Sequence, residues 1–154
     1  MTTLNATPTK EFLNQMFEFS LNHRMQLDFD QALDYIDAIE SYNNFDACSV
    51  KAMLNAIDVI IPREYYNEGN PNNGNRAYKI SIGRENSPVI YLDLIAFRQA
   101  VPAFQTGYAD LVAKIHAAAK IAYCDEFSHE YDEYRVTERQ GPLSASLEIR
   151  MWWD

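Results

Sequence analysis

The sequence predicts an α+β fold: N-terminal helices followed by a small antiparallel β-sheet with one long helix inserted between the strand pairs. Three observations predict it. Apolar residues recur at helical spacing from residue 12 to residue 57. The spacing then switches to two, with Tyr78, Ile80 and Ile82 alternating with Lys79 and Ser81. A second helical pattern separates this region from a final period-two segment that contains Leu147, Ile149, Met151 and Trp153.

Each element has its own signal. Thr7, Pro8 and Thr9 start a first helix with the stripe Phe12, Leu13, Met16, Phe17 and Leu21, and its expected end is at 23–26. Asp28 or Asp30 caps a second helix, in which Ala32, Leu33, Ile36 and Ile39 form the apolar stripe; residues 41–44 break it. Asp46 caps a third, with Val50, Met53, Leu54 and Ile57 facing the core and Pro62 stopping it. Gly, Pro and Asn make 67–75 a loop. Strands follow near 77–82 and 89–92, joined by a turn at 83–87. Asp93 reads as the cap of a short helix over 94–101 that Pro102 stops. Thr106 caps the long helix, 107–127, whose stripe is Leu111, Val112, Ile115, Ala118, Ala119 and Ala122. A hairpin closes the pattern, with strands at 134–138 and 146–153 around a turn at 140–144. The alternation puts Glu148, Arg150 and Trp152 on the face opposite Trp153. The 154 residues are read as one domain, with a helical lobe at 7–62 and an α+β part at 76–154.

The net charge is −9 and the pI about 4.7. That balance argues against direct binding to nucleic acid, which takes clusters of Lys and Arg, and against adhesion to an anionic membrane. It favours a basic protein as partner. Cys48 and Cys124 belong to no Cys-x-x-Cys pair and read as buried, reduced thiols. Residues 1–7 have neither the basic nor the apolar region of a signal peptide, and no apolar run approaches the ~18 residues of a membrane span. The expected location is cytoplasmic.

Two acidic stretches carry the candidate partner-binding residues. Asp30, Asp34 and Asp37 fall at i, i+4 and i+7 and share one helix face, continued by Glu40, and no Lys or Arg lies between Arg24 and Lys51. Like charges at this spacing cost a few tenths of a kcal/mol per pair, so the row stabilises nothing by itself. The second stretch holds Asp125, Glu126, Glu130, Asp132 and Glu133, with Tyr131 among them. It is read as lying near the C-terminal end of the long helix, where the macrodipole disfavours anions.

In charge, size and tyrosine content the composition resembles the nucleic-acid mimics among the anti-restriction and anti-CRISPR proteins of mobile elements, although no motif aligns. The resemblance implies a stoichiometric inhibitor that occupies the Lys/Arg-rich site of a nucleic-acid-binding effector complex. One helix stripe is too sparse to imitate a duplex, since its carboxylates sit ~5–6 Å apart against one phosphate per ~3.4 Å of a DNA strand. Both stretches are therefore required on one side of the fold. An immunity-type protein against a basic toxin is a related expectation.

Two other classes compete. Glu126-x-x-His129 has the spacing that sets two metal ligands on one helix face, but a second such motif is missing, and position 133, where a zinc-protease motif needs its second His, is Glu133. No phosphate loop, nucleophile elbow or cofactor motif is present, so no catalytic residue, metal or cofactor is expected. A self-assembling module, a homodimer for example, would bury Trp152, Tyr131 and Tyr134 between subunits.

Overall fold

A computed structural model describes residues 9–19, 24–62, 78–135, 137 and 141–154. Four helices, α1 (Lys10–Phe19), α2 (Phe29–Ile39), α3 (Ala47–Ile60) and α4 (Val101–Ile121), cover one side of a sheet. The sheet contains β1 (Arg24–Leu27), β4 (Tyr78–Glu85), β5 (Ser87–Phe97), β6 (Glu126–Tyr134) and β7 (Ser144–Trp152). Their order is β1-β4-β5-β7-β6, with every neighbouring pair antiparallel. Two short strands, β2 (Ser41–Tyr42) and β3 (Phe45–Asp46), form a separate hairpin between α2 and α3. The α+β class holds, with α4 inserted between the β4–β5 and β6–β7 pairs.

Alternation builds the core. Ile80, Ile82, Ile90, Leu92, Leu94, Leu147, Ile149 and Met151 all project to the helical side and are buried. They meet Tyr35 and Ile36 of α2, Val50, Leu54 and Ile57 of α3, and Phe104 and Ile115 of α4 in one continuous cluster. The α2 entry is fixed by a capping box: the Asp28 carboxylate accepts from the Gln31 N–H at 2.8 Å, and the Gln31 side chain accepts from the Asp28 N–H at 3.1 Å. Asp46 caps α3 through the Ser49 N–H. Trp153 is fully buried, packs edge-on to Phe45 and donates its indole N–H to the Ala122 carbonyl at 2.8 Å.

Several expected boundaries are corrected. The first helix ends at Phe19, and residues 24–27 form a strand, because Met25 and Leu27 turn inward while Arg24 and Gln26 turn outward. Residues 20–23 and the 67–75 loop lie outside the described residues. The helix expected over 94–101 is the end of β5: the alternation runs on through Leu94 and Ala96 to Phe97, and Asp93 is a strand residue, not a cap. Pro102 starts α4 instead of stopping a helix, since the first turn needs no proline N–H. The helix expected to reach 127 ends at Ile121. Tyr123, at φ 62°, turns the chain back toward the sheet.

The largest correction concerns the second acidic stretch. Residues 126–134 are an edge strand, not a helix end, and pair with β7 along their whole length. Phe127 and Tyr131, at period two, face α4 and set the register. Cys48 is exposed, against the expectation of burial; Cys124 is half-buried, its Sγ 2.9 Å from the Glu126 carbonyl, and burial pushes its thiol up to about 11. Among the described residues no helix is long and apolar enough to cross a membrane.

Trp153→Ala is expected to lower stability by about 3–5 kcal/mol, as for other buried aromatic truncations. Urea denaturation followed by far-UV circular dichroism measures it. A loss below about 1 kcal/mol would show that the indole is not part of the core.

Candidate binding surface on the open sheet face

Side chains at the alternate positions of the five strands project away from the helices. Among the described residues no helix covers that face. Its acids are Glu85, Asp93, Glu126, Glu130, Asp132 and Glu148, and its bases are Arg24, Lys79 and Arg150. Among the described residues acids therefore outnumber bases six to three there.

The charges are not evenly spread. At one end they form a paired network. Arg150 donates to Glu85 at 2.9 Å and to Glu126 at 3.0 Å, and the Tyr91 hydroxyl donates to Glu85 at 3.0 Å. The Arg24 guanidinium lies 4.0 Å from the Tyr91 ring centroid, and the Trp152 indole donates to the Glu85 carbonyl at 2.9 Å. Burial, and next the Glu85 bond, raise the Tyr91 hydroxyl above its ordinary value.

The middle of the face is different. The register sets Lys79, Asp93, Glu148 and Glu130 side by side on four successive strands. Three carboxylates thus stand directly opposite one another, at the ~4.5–5.5 Å spacing of cross-strand pairs, an arrangement that destabilises a sheet. Lys79 at the end of the row and a long 3.5 Å contact from Arg24 to Glu148 offset it in part. Burial, and next the adjoining Glu148, raise the Asp93 carboxyl above its ordinary value, against the opposing pull of Arg24 and Lys79. Gln26, Lys79, Asp93, Ile95, Glu130, Asp132, Ser146 and Glu148 line a shallow trough of about 390 Å³.

The predicted partner-binding residues divide between two sides of the molecule. Asp30 and Asp34 are exposed on α2, and Asp37 pairs with Lys51 at 2.7 Å. Glu40 pairs with Lys10. All four belong to the helical layer. Glu126, Glu130 and Asp132 project from the opposite side of the sheet. The two stretches therefore do not combine into one surface.

Three further candidates are engaged within the chain. Asp125 accepts from the Asn44 amide and the Asp154 N–H. Tyr131 stacks on Tyr108, centroids 4.0 Å apart, and donates to Glu133. Glu133 also accepts from Gln105 and Arg135, and these bonds, Gln105 first, hold its carboxyl down at about 2.

Asp93 and Glu148 are the members that reading the charge runs missed. Glu148 was legible as an outward residue of the last strand. Asp93 was hidden by its reading as a helix cap. The Glu126/His129 pair falls apart on a strand, because residues three apart point to opposite faces. Among the described residues no three His, Cys, Asp or Glu side chains converge to hold a metal ion. Of the aromatic residues expected in a self-assembly interface, Tyr131 and Trp152 are engaged within the chain, and Tyr134 is exposed.

No family model, no curated protein and no solved structure matches the chain.

Asp93→Asn is expected to raise stability at about pH 7 by about 0.5 kcal/mol, the scale of one cross-strand pair, and to change little at about pH 3. The native fold holds the Asp93 proton to higher pH than the unfolded chain does. Its ionisation therefore costs stability as pH rises from 3.8 through the raised native value, and that cost is absent below 3.8. Urea denaturation at both pH values measures the difference; destabilisation at the higher pH would contradict the account.

Proposed function

We propose that this chain is a non-enzymatic acidic binding protein, a stoichiometric inhibitor that presents the carboxylates of its open sheet face to a Lys/Arg-rich, nucleic-acid-binding site on a protein partner. The observation that supports it is the row Asp93, Glu148 and Glu130, with Asp132 beside it: adjacent carboxylates, on a face that no described helix covers, that weaken the sheet they stand on. A guanidinium or ammonium group from a partner would relieve that repulsion on binding. Its gain would be largest where the free protein is most strained electrostatically. The open face also spaces its carboxylates more closely than a helix stripe does, which brings it nearer to a run of phosphates.

The α2 acids are the weaker candidates. Asp37 and Glu40 already have cations of this chain, leaving Asp30 and Asp34 as solvated charges of a kind that also serves solubility. The mechanism is occupation of the partner's site, and it requires no chemistry from this chain. Charge steering makes association fast and makes it weaken with salt. The reading sets the activity in the cytoplasm, against an effector complex that handles nucleic acid.

A pull-down from host-cell lysate at low and high salt, with mass spectrometry of the bound proteins, tests the reading. A basic, nucleic-acid-handling protein is expected to be retained at low salt and released at high salt. Glu130→Lys combined with Glu148→Lys is expected to weaken its capture by about tenfold or more, on the scale of desolvated charge pairs at interfaces. Asp30→Lys, Asp34→Lys and Asp37→Lys combined should have a much smaller effect. Capture that survives the first combination and fails with the second would move the site to α2.

A further inference from the structure

The acidic row does not end the open face. Four residues further along the strands, Phe97 of β5 and Tyr134 of β6 flank Ser144 of β7, and Leu143 follows directly. Phe97, Tyr134 and Leu143 are 46%, 62% and 42% exposed, and backbone bonds tie the three segments together, Arg98 N–H to Leu143 and Leu143 N–H to Tyr134. At ~3.4 Å per residue this apolar end lies ~14 Å from the Asp93–Glu148–Glu130 row.

The outer edge of β6 runs alongside both. It is nine residues long, and among the described residues no strand pairs with it. Edges of this length are commonly guarded by Lys, by Pro or by shortness. The opposite edge, β1, is four residues long. The β6 edge has no Lys, Arg or Pro, and its outward charges on the open face are Glu126, Glu130 and Asp132. Carboxylates guard an edge selectively. A second copy of β6 would bring acids against acids, whereas a basic strand would bring cations to them.

We infer that the β6 edge takes an extended basic segment of the partner protein as a sixth strand, with its cations over Glu130, Asp132 and Glu126, the last shared with Arg150, and an apolar side chain over Tyr134. This deepens the proposed function and rests on it. The register gives the segment a pattern. Read antiparallel from the Tyr134 end, an apolar residue comes first, and basic residues come third, fifth and ninth, opposite Asp132, Glu130 and Glu126. Backbone hydrogen bonds give such a complex its affinity, and the side chains of alternate residues give it specificity.

A nine-residue peptide with Phe first, Arg third, fifth and ninth and Thr elsewhere, capped at both ends, is the probe. Its affinity for the full chain is measured by calorimetry at low salt, beside that of the same peptide N-methylated at the alternate amides that face β6. The unmethylated peptide is expected to bind at least about tenfold more tightly, since methylation removes several backbone hydrogen bonds and leaves the charge intact. Tyr134→Ser, at an exposed position, is expected to weaken the unmethylated peptide alone. Equal binding of the two peptides would overturn strand addition while leaving the acidic-surface reading intact. Binding of neither would overturn both.

Discussion

A β-strand has two faces, and among the described residues helices cover only one face of this sheet. That constraint organises the molecule. The alternation in β4, β5 and β7 is strict enough that each strand contributes a fully buried apolar row, and α1 to α4 pack against it. What alternates with those rows forms the open face, where Ser81 and Val89 are buried beneath their neighbours and the charged side chains reach solvent. The open face therefore follows from the same periodicity that builds the core. Its composition is what separates this protein from an ordinary two-layer α+β fold. Arg24, Tyr91, Glu85, Arg150, Glu126 and Trp152 satisfy one another at one end, while the middle places three carboxylates in a row.

The contrast between those two regions gives the functional argument its physical content. A network of alternating charges adds cross-strand support to the sheet; a run of like charges removes it. The same five strands hold both, so the acidic row is not forced by the backbone. A neutral or basic residue at position 148 would fit the register equally well. Positions at which stability is lost for no structural return are where binding is expected. The α2 carboxylates do not meet that test as clearly, because Lys51 and Lys10 offset two of them.

Much of the fold was legible in the sequence. The caps Asp28 and Asp46, the alternation at 78–82 and the inward set Leu147, Ile149, Met151 and Trp153 all lie where periodicity put them. The failures share a cause. Short polar residues carry two meanings: Asp93 reads as a helix cap yet stands outward on a strand, and Pro102 reads as a stop yet begins a helix. Between Ala122 and Glu133 the charge density masked a period-two signal carried by Phe127 and Tyr131. The candidate site was legible only in part, because Asp93, Glu148 and Glu130 are distant in sequence and strand register alone makes them neighbours. Glu126, Glu130 and Asp132 were found by charge; Asp125, Tyr131 and Glu133 were found by the same signal and make hydrogen bonds or ring contacts within the chain.

The central claim is that the acidic open face, and not the acidic face of α2, is what meets a cationic partner. Amide chemical-shift mapping of the full chain, titrated with an Arg-rich peptide at low salt, tests it most directly. The account predicts shifts concentrated in 91–97, 126–134 and 144–150 and reversed by added salt. Shifts concentrated along 30–40, or spread equally over both sides of the sheet, would contradict it.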